Sequence, residues 1–143
     1  ANFSSPGAPV NTLEAGKRMR TLISPTLVLK DGQPFLTIGT PGAARIISTV
    51  TIVLSNIIDY GMGLQEAIEA PRFYVRDNTE TLEYEARFAP EVIDTLQAMG
   101  YTVLEHPDFD LYFGGAQGVM IDLETGTLIG GADPRRDGAA IGF

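Results

Sequence analysis

The sequence predicts an α+β domain in which antiparallel strand pairs lie against helices. Three observations predict it. Asp31-Gly32, set between the apolar-rich stretches 24–30 and 33–38, is the signal of a two-residue hairpin. From Ala43 to Ile58 apolar residues recur at i, i+3, i+4 and i+7, the period of an amphipathic helix. Beyond it, short helical and extended stretches alternate irregularly, which suits a layered sheet-and-helix domain rather than a doubly wound one.

Residues 1–20 are rich in Ser, Pro, Gly and Asn without periodicity and read as an extended loop segment, with 21–143 as the packed portion. Strands are expected at 24–30 and 33–38. The second runs into Ile38-Gly39-Thr40-Pro41-Gly42-Ala43-Ala44-Arg45, a strand-to-helix turn. Thr40 reads as the N-cap and Pro41 as the first helical residue, because its missing N–H would have no helical acceptor. Gly42 and Ala43 then carry first-turn N–H groups without intrahelical partners, and such groups can hold an anion. The stretch has neither the Lys of a phosphate loop nor dinucleotide-type glycine spacing. It therefore reads as an oxyanion-type turn or as a simply capped helix.

In the helix, Ala43, Ile46, Ile47, Val50, Val53, Leu54, Ile57 and Ile58 form the apolar stripe. Ile52 lies off it, which points to cover on more than one side. Gly61 and Gly63 end the helix. A second, short helix is expected at 64–70, stopped by Pro71. Strands at 72–75 and 81–84 flank a turn at Asp77-Asn78. Ala89-Pro90-Glu91 opens a third helix with Val92, Leu96 and Met99 inward and Gly100 at its end. Strands follow at 101–104, 118–123 and 127–129, and 130–138 reads as a loop.

Composition narrows the function. A chain of 143 residues, 44 % hydrophobic, can bury one real core. A net charge of −8 argues against nucleic acid and anionic membranes as partners. No cysteine and one histidine exclude disulfides, thiolate metal sites and a histidine-rich metal centre. No apolar run reaches the length of a membrane span. The first residues are not a signal peptide. The chain starts without Met, as a fragment or processed chain would.

No full catalytic set can be assembled from these residues. His106, between Glu105 and Pro107 at a strand end, reads as solvent-exposed or structural. Asp108 and Asp110 read as a surface loop around Phe109. Arg135 and Arg136 with Asp133 and Asp137 read as a local ion-pair cluster. Ser24 and Thr26 carry hydroxyls near the central turn without a nameable base. The turn at Gly42 calls for a nucleophile that this chain does not visibly supply.

An ordered set of short pieces resembles the C-terminal part of the small subunit of γ-glutamyltranspeptidases. The pieces are Asn2-Phe3-Ser4; Gly16-Lys17-Arg18 with Ser24-Pro25-Thr26; Gly39-Thr40-Pro41-Gly42-Ala43 with Arg45-Ile46-Ile47; and Ile57-Ile58-Asp59-Tyr60-Gly61. They continue with Glu66-Ala67, Ala70-Pro71-Arg72-Phe73, Gly131-Ala132-Asp133-Pro134-Arg135, Gly138 and Gly142-Phe143. The resemblance implies an N-terminal-nucleophile hydrolase fold, an αββα sandwich of which this chain is an incomplete piece. It implies an upstream Thr, exposed by self-cleavage, that attacks a γ-glutamyl amide with its own amine as base. It implies as partners the large subunit and the N-terminal part of the small subunit of the same precursor, and a small-molecule γ-glutamyl or glutaryl amide as substrate. No cofactor and no metal are called for. The compartment is open between periplasmic or secreted, as the resemblance implies, and cytoplasmic.

Residue by residue, Gly42 and Ala43 occupy the places of the family's Gly-Gly oxyanion donors. Thr21 and Leu22 stand where two serines hold the glutamyl α-carboxylate. Asn2 stands where an Asp grips the α-ammonium. The three departures, at Asn2, at Thr21-Leu22 and at Ala43, all fall in the pocket, so the scaffold matches better than the recognition residues. A catalytically inactive scaffold or binding fragment of the same family is the alternative, decided by whether a Thr stands at a self-cleavage site upstream. A nucleotide-binding turn is a third reading, with only Arg45 placed to help phosphate.

Overall fold

The computed structural model describes residues 3–4, 11–76 and 79–142. The expected turn at Asp77-Asn78 and the site residue Asn2 lie outside these. Strand β1 (Thr26–Lys30) pairs antiparallel with β2 (Gln33–Gly39). Asp31 and Gly32 join them with φ of 52° and 79°, the two left-handed residues that the tightest hairpin turns require. The free edge of β2 takes β6 (Gln117–Ile121), which pairs with β7 (Leu128–Ala132), giving an antiparallel sheet in the order β1-β2-β6-β7.

β7 runs into the stretch expected to be a loop. Its glycines are the reason: a Cβ on Gly131 would come within 2.7 Å of the Leu64 and Ile68 side chains. Glycine in a strand here marks a close approach of a helix rather than a break.

Two helices cover this sheet, α1 (Arg45–Ile58) and α2 (Leu64–Glu69). The core joins Leu36 and Ile38 of β2 to Ile46, Val50, Val53 and Ile57 of α1 and to Leu64, Ala67 and Ile68 of α2. The buried face of α1 is narrower than its apolar stripe, since Ile47 and Ile58 are 58 % and 59 % exposed. Thr49 is buried in that face instead, because its hydroxyl donates to the Phe113 carbonyl at 2.9 Å.

The second sheet holds β3 (Phe73–Val75), β4 (Thr81–Glu85) and β5 (Thr102–His106). β3 and β4 are antiparallel, as expected, but β4 and β5 are parallel. Helix α3 (Pro90–Ala98) is the cause, because a helical crossover returns the chain to the end from which it started. The inward face of α3 centres on Ile93, with Leu96 beside it, whereas Val92 and Met99 are largely exposed. Val92 and Ile93 are adjacent apolar residues about 100° apart on the helix, so the sequence fits either face.

β4 alternates Leu82 and Tyr84, which join Ile93 in a second core, with Glu83 and Glu85 on the opposite side. Those carboxylates are as buried as the apolar residues, at 1 % and 0 % exposure. A strand buried on both faces, with acids on one, requires cations brought from elsewhere.

Candidate active site

The turn after β2 differs from a capped helix start. Gly42 has φ of 144° and Ala43 has φ of 51°, conformations that no α-helix contains. The helix therefore begins at Arg45 with Ala44 as its N-cap, so Thr40 is not the cap and Pro41 is not the first helical residue. Arg45 N–H and Ile46 N–H donate back to the Gly42 and Ala43 carbonyls, each at 3.1 Å. Neither Gly42 nor Ala43 donates its own N–H to any acceptor among the described residues. Left-handed Ala43 is followed by right-handed Ala44, and adjacent residues of opposite hand turn their own N–H groups, here those of Ala43 and Ala44, into one concavity suited to an anion.

A second loop holds this turn from behind. Gly114 has φ of 93°, and a Cβ there would lie 2.5 Å from the Pro41 carbonyl oxygen and 2.6 Å from Thr40 Oγ1. Only glycine permits that approach. Gly115 N–H donates to Thr40 Oγ1 at 3.0 Å, and the same hydroxyl donates to the Pro41 carbonyl at 2.8 Å. Arg45 turns away from the concavity: its Nε donates to the Tyr112 carbonyl at 3.2 Å and its guanidinium lies over the Tyr112 ring. That removes the cation a phosphate reading would need.

The 113–116 loop is in turn fixed by buried charge. Arg72 Nη1 donates to the Phe113 carbonyl at 3.1 Å, and Ala116 N–H donates to Asp133 Oδ2 at 2.7 Å. Arg72 and Asp133 pair directly, and Arg135 bridges Asp133 to Glu85, reaching Glu85 with both Nε and Nη2 at 2.6 Å. Arg87 brings a third guanidinium to the cluster, pairing with Glu85 at 2.9 Å. The excess positive charge is met by carbonyl oxygens of Ile68, Ala70 and Phe113. Burial, then repulsion from Arg135, lowers the Arg72 pKa to about 10, still protonated at neutral pH. Burial would lower Arg135 as well, but its hydrogen bonds to Glu85 outweigh that and hold it above the ordinary arginine value.

The ion cluster expected around Arg135 is thus real but differently composed. Asp133 and Arg135 belong to it, while Arg136 leaves it to donate to the Gly114 carbonyl, and Asp137 takes a left-handed turn conformation. Arg72 and Glu85, which sequence reasoning passed over, complete it. The signal available was Glu83 and Glu85 alternating with apolar residues in a strand, a pattern that demands buried partners.

His106 is structural. Its ring joins Glu83 at 2.9 Å and Asp110 at 3.0 Å and stacks on Tyr112. Asp110 is not a free loop acid: it caps the 3₁₀ turn Leu111–Phe113 by accepting from Tyr112 N–H at 2.8 Å. Burial would raise the Glu83 and Asp110 pKa values, but the hydrogen bonds from Arg76 and His106 to Glu83, and from Tyr112 N–H and His106 to Asp110, hold both below the usual carboxylate range.

Thr21 is exposed and its hydroxyl accepts from Ile23 N–H at 3.1 Å. The Leu22 side chain packs against the core of α1 and α2, so it presents no polar group. Ser24 and Thr26 spend their hydroxyls on the Leu22 and Ser24 carbonyls. No hydrogen bond among the described residues joins Thr21 or Leu22 to the Gly42 turn.

The two sheets and their helices superpose on solved γ-glutamyltranspeptidases, which gives the chain an N-terminal-nucleophile hydrolase fold, here an incomplete piece of its αββα sandwich. The chain belongs to the γ-glutamyltranspeptidase family, whose sequence model, described as Gamma-glutamyltranspeptidase, matches residues 1–143. It is 39 % identical over 142 residues to the glutathione hydrolase proenzyme of Bacillus subtilis (strain 168), covering 99 % of this chain and 24 % of that protein. Among solved structures, γ-glutamyltranspeptidase from Pseudomonas nitroreducens complexed with L-DON superposes with a TM-score of 0.79 at 31 % identity, over 99 % of this chain and 76 % of that one. Cephalosporin acylase from Bacillus halodurans superposes with a TM-score of 0.85 at 32 % identity, over 96 % and 25 %. The chain spans about a quarter of the length of the curated relatives it matches. No helix among the described residues is long and apolar enough to cross a membrane.

Proposed function

We propose that this chain is the C-terminal portion of a self-processing enzyme that hydrolyses or transfers γ-glutamyl or glutaryl-like acyl groups. In this reading a Thr outside the chain forms the acyl-enzyme, and the Gly42 and Ala43 N–H groups stabilise the oxyanion of each tetrahedral intermediate. The observation that carries it is the pair of adjacent N–H groups without a protein acceptor, at a backbone that costs energy to hold. Ala43 at positive φ is unfavourable by about 1–2 kcal/mol, a strain that fits a functional turn better than a plain connection. The nucleophile, the rest of the small subunit and the large subunit come from the same precursor, and the chain alone is inactive. A likeness to both a glutathione hydrolase and a cephalosporin acylase supports acyl chemistry that is not confined to glutathione.

The test uses the full-length protein. Its intact mass shows whether it cleaves itself before a Thr, and turnover of γ-glutamyl and glutaryl anilides shows the acyl donor. Cleavage with turnover of either anilide, abolished by Thr→Ala at the new N-terminus, supports the reading. An uncleaved protein without turnover overturns it in favour of an inactive scaffold.

A further inference from the structure

We infer that Thr40 is a positioning residue that aims the Gly42 N–H at the reacting oxygen. The inference rests on the proposed oxyanion role of Gly42 and Ala43 and adds a residue that acts through them. A peptide unit is planar and trans, so its C=O and N–H point in opposite directions and turn together. The Gly42 N–H shares its plane with the Pro41 carbonyl. That carbonyl accepts from Thr40 Oγ1 at 2.8 Å. Fixing the oxygen fixes the N–H on the other side of the plane.

The direction of the Thr40 proton is itself determined. Gly115 N–H can only donate, and it donates to Thr40 Oγ1 at 3.0 Å. One hydroxyl lone pair is occupied, and the hydroxyl proton is left for Pro41. Gly114 packs closely against both that carbonyl oxygen and Thr40 Oγ1, so the peptide has little room to flip. The neighbouring plane is set by backbone alone, since the Gly42 carbonyl, which shares its plane with the Ala43 N–H, accepts from Arg45 N–H at 3.1 Å. Of the two donors, only the Gly42 N–H depends on a side chain for its aim. A flat proline-glycine peptide with an unheld carbonyl has two orientations of similar energy, one typical of each common turn type, and they present opposite faces to the ligand.

The experiment compares Thr40→Val, Thr40→Ser and Ala43→Val with the parent in the full-length, processed protein. The probes are a γ-glutamyl anilide, free glutamate as a ground-state ligand, and a boronate analogue of glutamate that forms a tetrahedral adduct. The expected result for Thr40→Val is a fall in kcat of about tenfold or more, with KM and glutamate affinity changed less than about threefold. Boronate affinity falls by the same factor as kcat, and Thr40→Ser, which keeps the hydroxyl, restores both. A merely structural role would lower the melting temperature without separating boronate from glutamate. The inference is overturned if Thr40→Val keeps its kcat, if Thr40→Ser is as impaired as Thr40→Val, or if glutamate and boronate weaken together. A fall in kcat for Ala43→Val but not for Thr40→Val overturns this inference alone. An active parent in which neither variant loses kcat overturns the oxyanion assignment beneath it.

Discussion

Arg72 Nη2 lies 2.7 Å from Asp133 Oδ2, and both side chains are fully buried. The pair ties the segment after α2 to the loop after β7, and each member also holds one end of the 113–116 loop. Removing one partner of such a pair leaves the other charged and unpaired in the interior, at a cost of about 3–5 kcal/mol. Asp133→Asn keeps the shape and removes the charge, so the full-length variant is expected to melt well below the parent and to express less soluble protein. Arg72→Met with Asp133→Leu removes both charges and is expected to be less harmful than the sum of the single changes. A double-mutant cycle by chemical denaturation checks this, and additivity would mean the two groups are not coupled.

At Ala43 sequence and backbone disagree, since a residue with a Cβ holds a positive φ. Ala43→Gly removes a left-handed penalty of about 1–2 kcal/mol and adds about 0.4–1 kcal/mol of unfolded-chain entropy, so the variant is expected to be as stable as the parent or slightly more so. Its kcat should be retained, because the donor is backbone. Ala43→Val places a β-branched residue at positive φ and is expected to lose both stability and kcat, the latter by as much as about 2–4 kcal/mol if the donor is displaced. Thermal melts and steady-state kinetics of the two variants separate the effects.

The cluster around His106 makes a prediction about acid. Glu83 and Asp110 have folded-state pKa values below their ordinary ones, so the unfolded chain binds their protons first as pH falls. Their stabilisation is fully present above the usual carboxylate range and is lost as pH drops through the depressed values. The urea midpoint is expected to fall steeply below about pH 4. Asp110→Asn should flatten that limb and lower the neutral plateau. An unchanged acid limb in the variant would show that Asp110 contributes nothing to it.

Asn2, outside the described residues, bears on which acyl group is read. If Asn2 stands where the family's Asp meets the α-ammonium, a charge-assisted hydrogen bond of about 1.5–3 kcal/mol is missing for γ-glutamyl donors. The full-length protein should then discriminate weakly between matched γ-glutamyl and glutaryl anilides. Asn2→Asp should shift the ratio of kcat/KM values toward γ-glutamyl by about tenfold or more. A parent that already prefers γ-glutamyl by several orders of magnitude would remove the assignment. Leu22, packed on the core, offers no compensating hydroxyl.

What could be read from the sequence was what depends on neighbours along the chain. The hairpin at Asp31-Gly32 and the three helices follow from local turn chemistry and period, and the structure has them within a few residues. The sequence reading expects free N–H groups at Gly42 and Ala43 as first-turn residues behind a Thr40 cap; the groups are free, but in a turn that precedes the helix. Their conformation was not legible, because it is imposed by Gly114 and Gly115 on a loop more than seventy positions away. The same reason hid Arg72 and Glu85: a charge in an apolar stretch reads as exposed until its partner is placed. Parallel pairing of β4 with β5 was missed because each strand alone carries no record of direction.

The bond from Gly115 to Thr40 closes a loop of 75 positions. Contacts that distant form late, since chain entropy is lost before the contact repays it. During synthesis at about 5–20 residues per second, the 75 positions between Thr40 and Gly115 take roughly 4–15 s to be made. For that interval the Pro41 carbonyl has no Gly114 against it and the Thr40 hydroxyl has no donor from Gly115. A nascent chain therefore carries the residues of the turn without its shape, and the turn is held as described only once Gly114 and Gly115 have been made and packed against it.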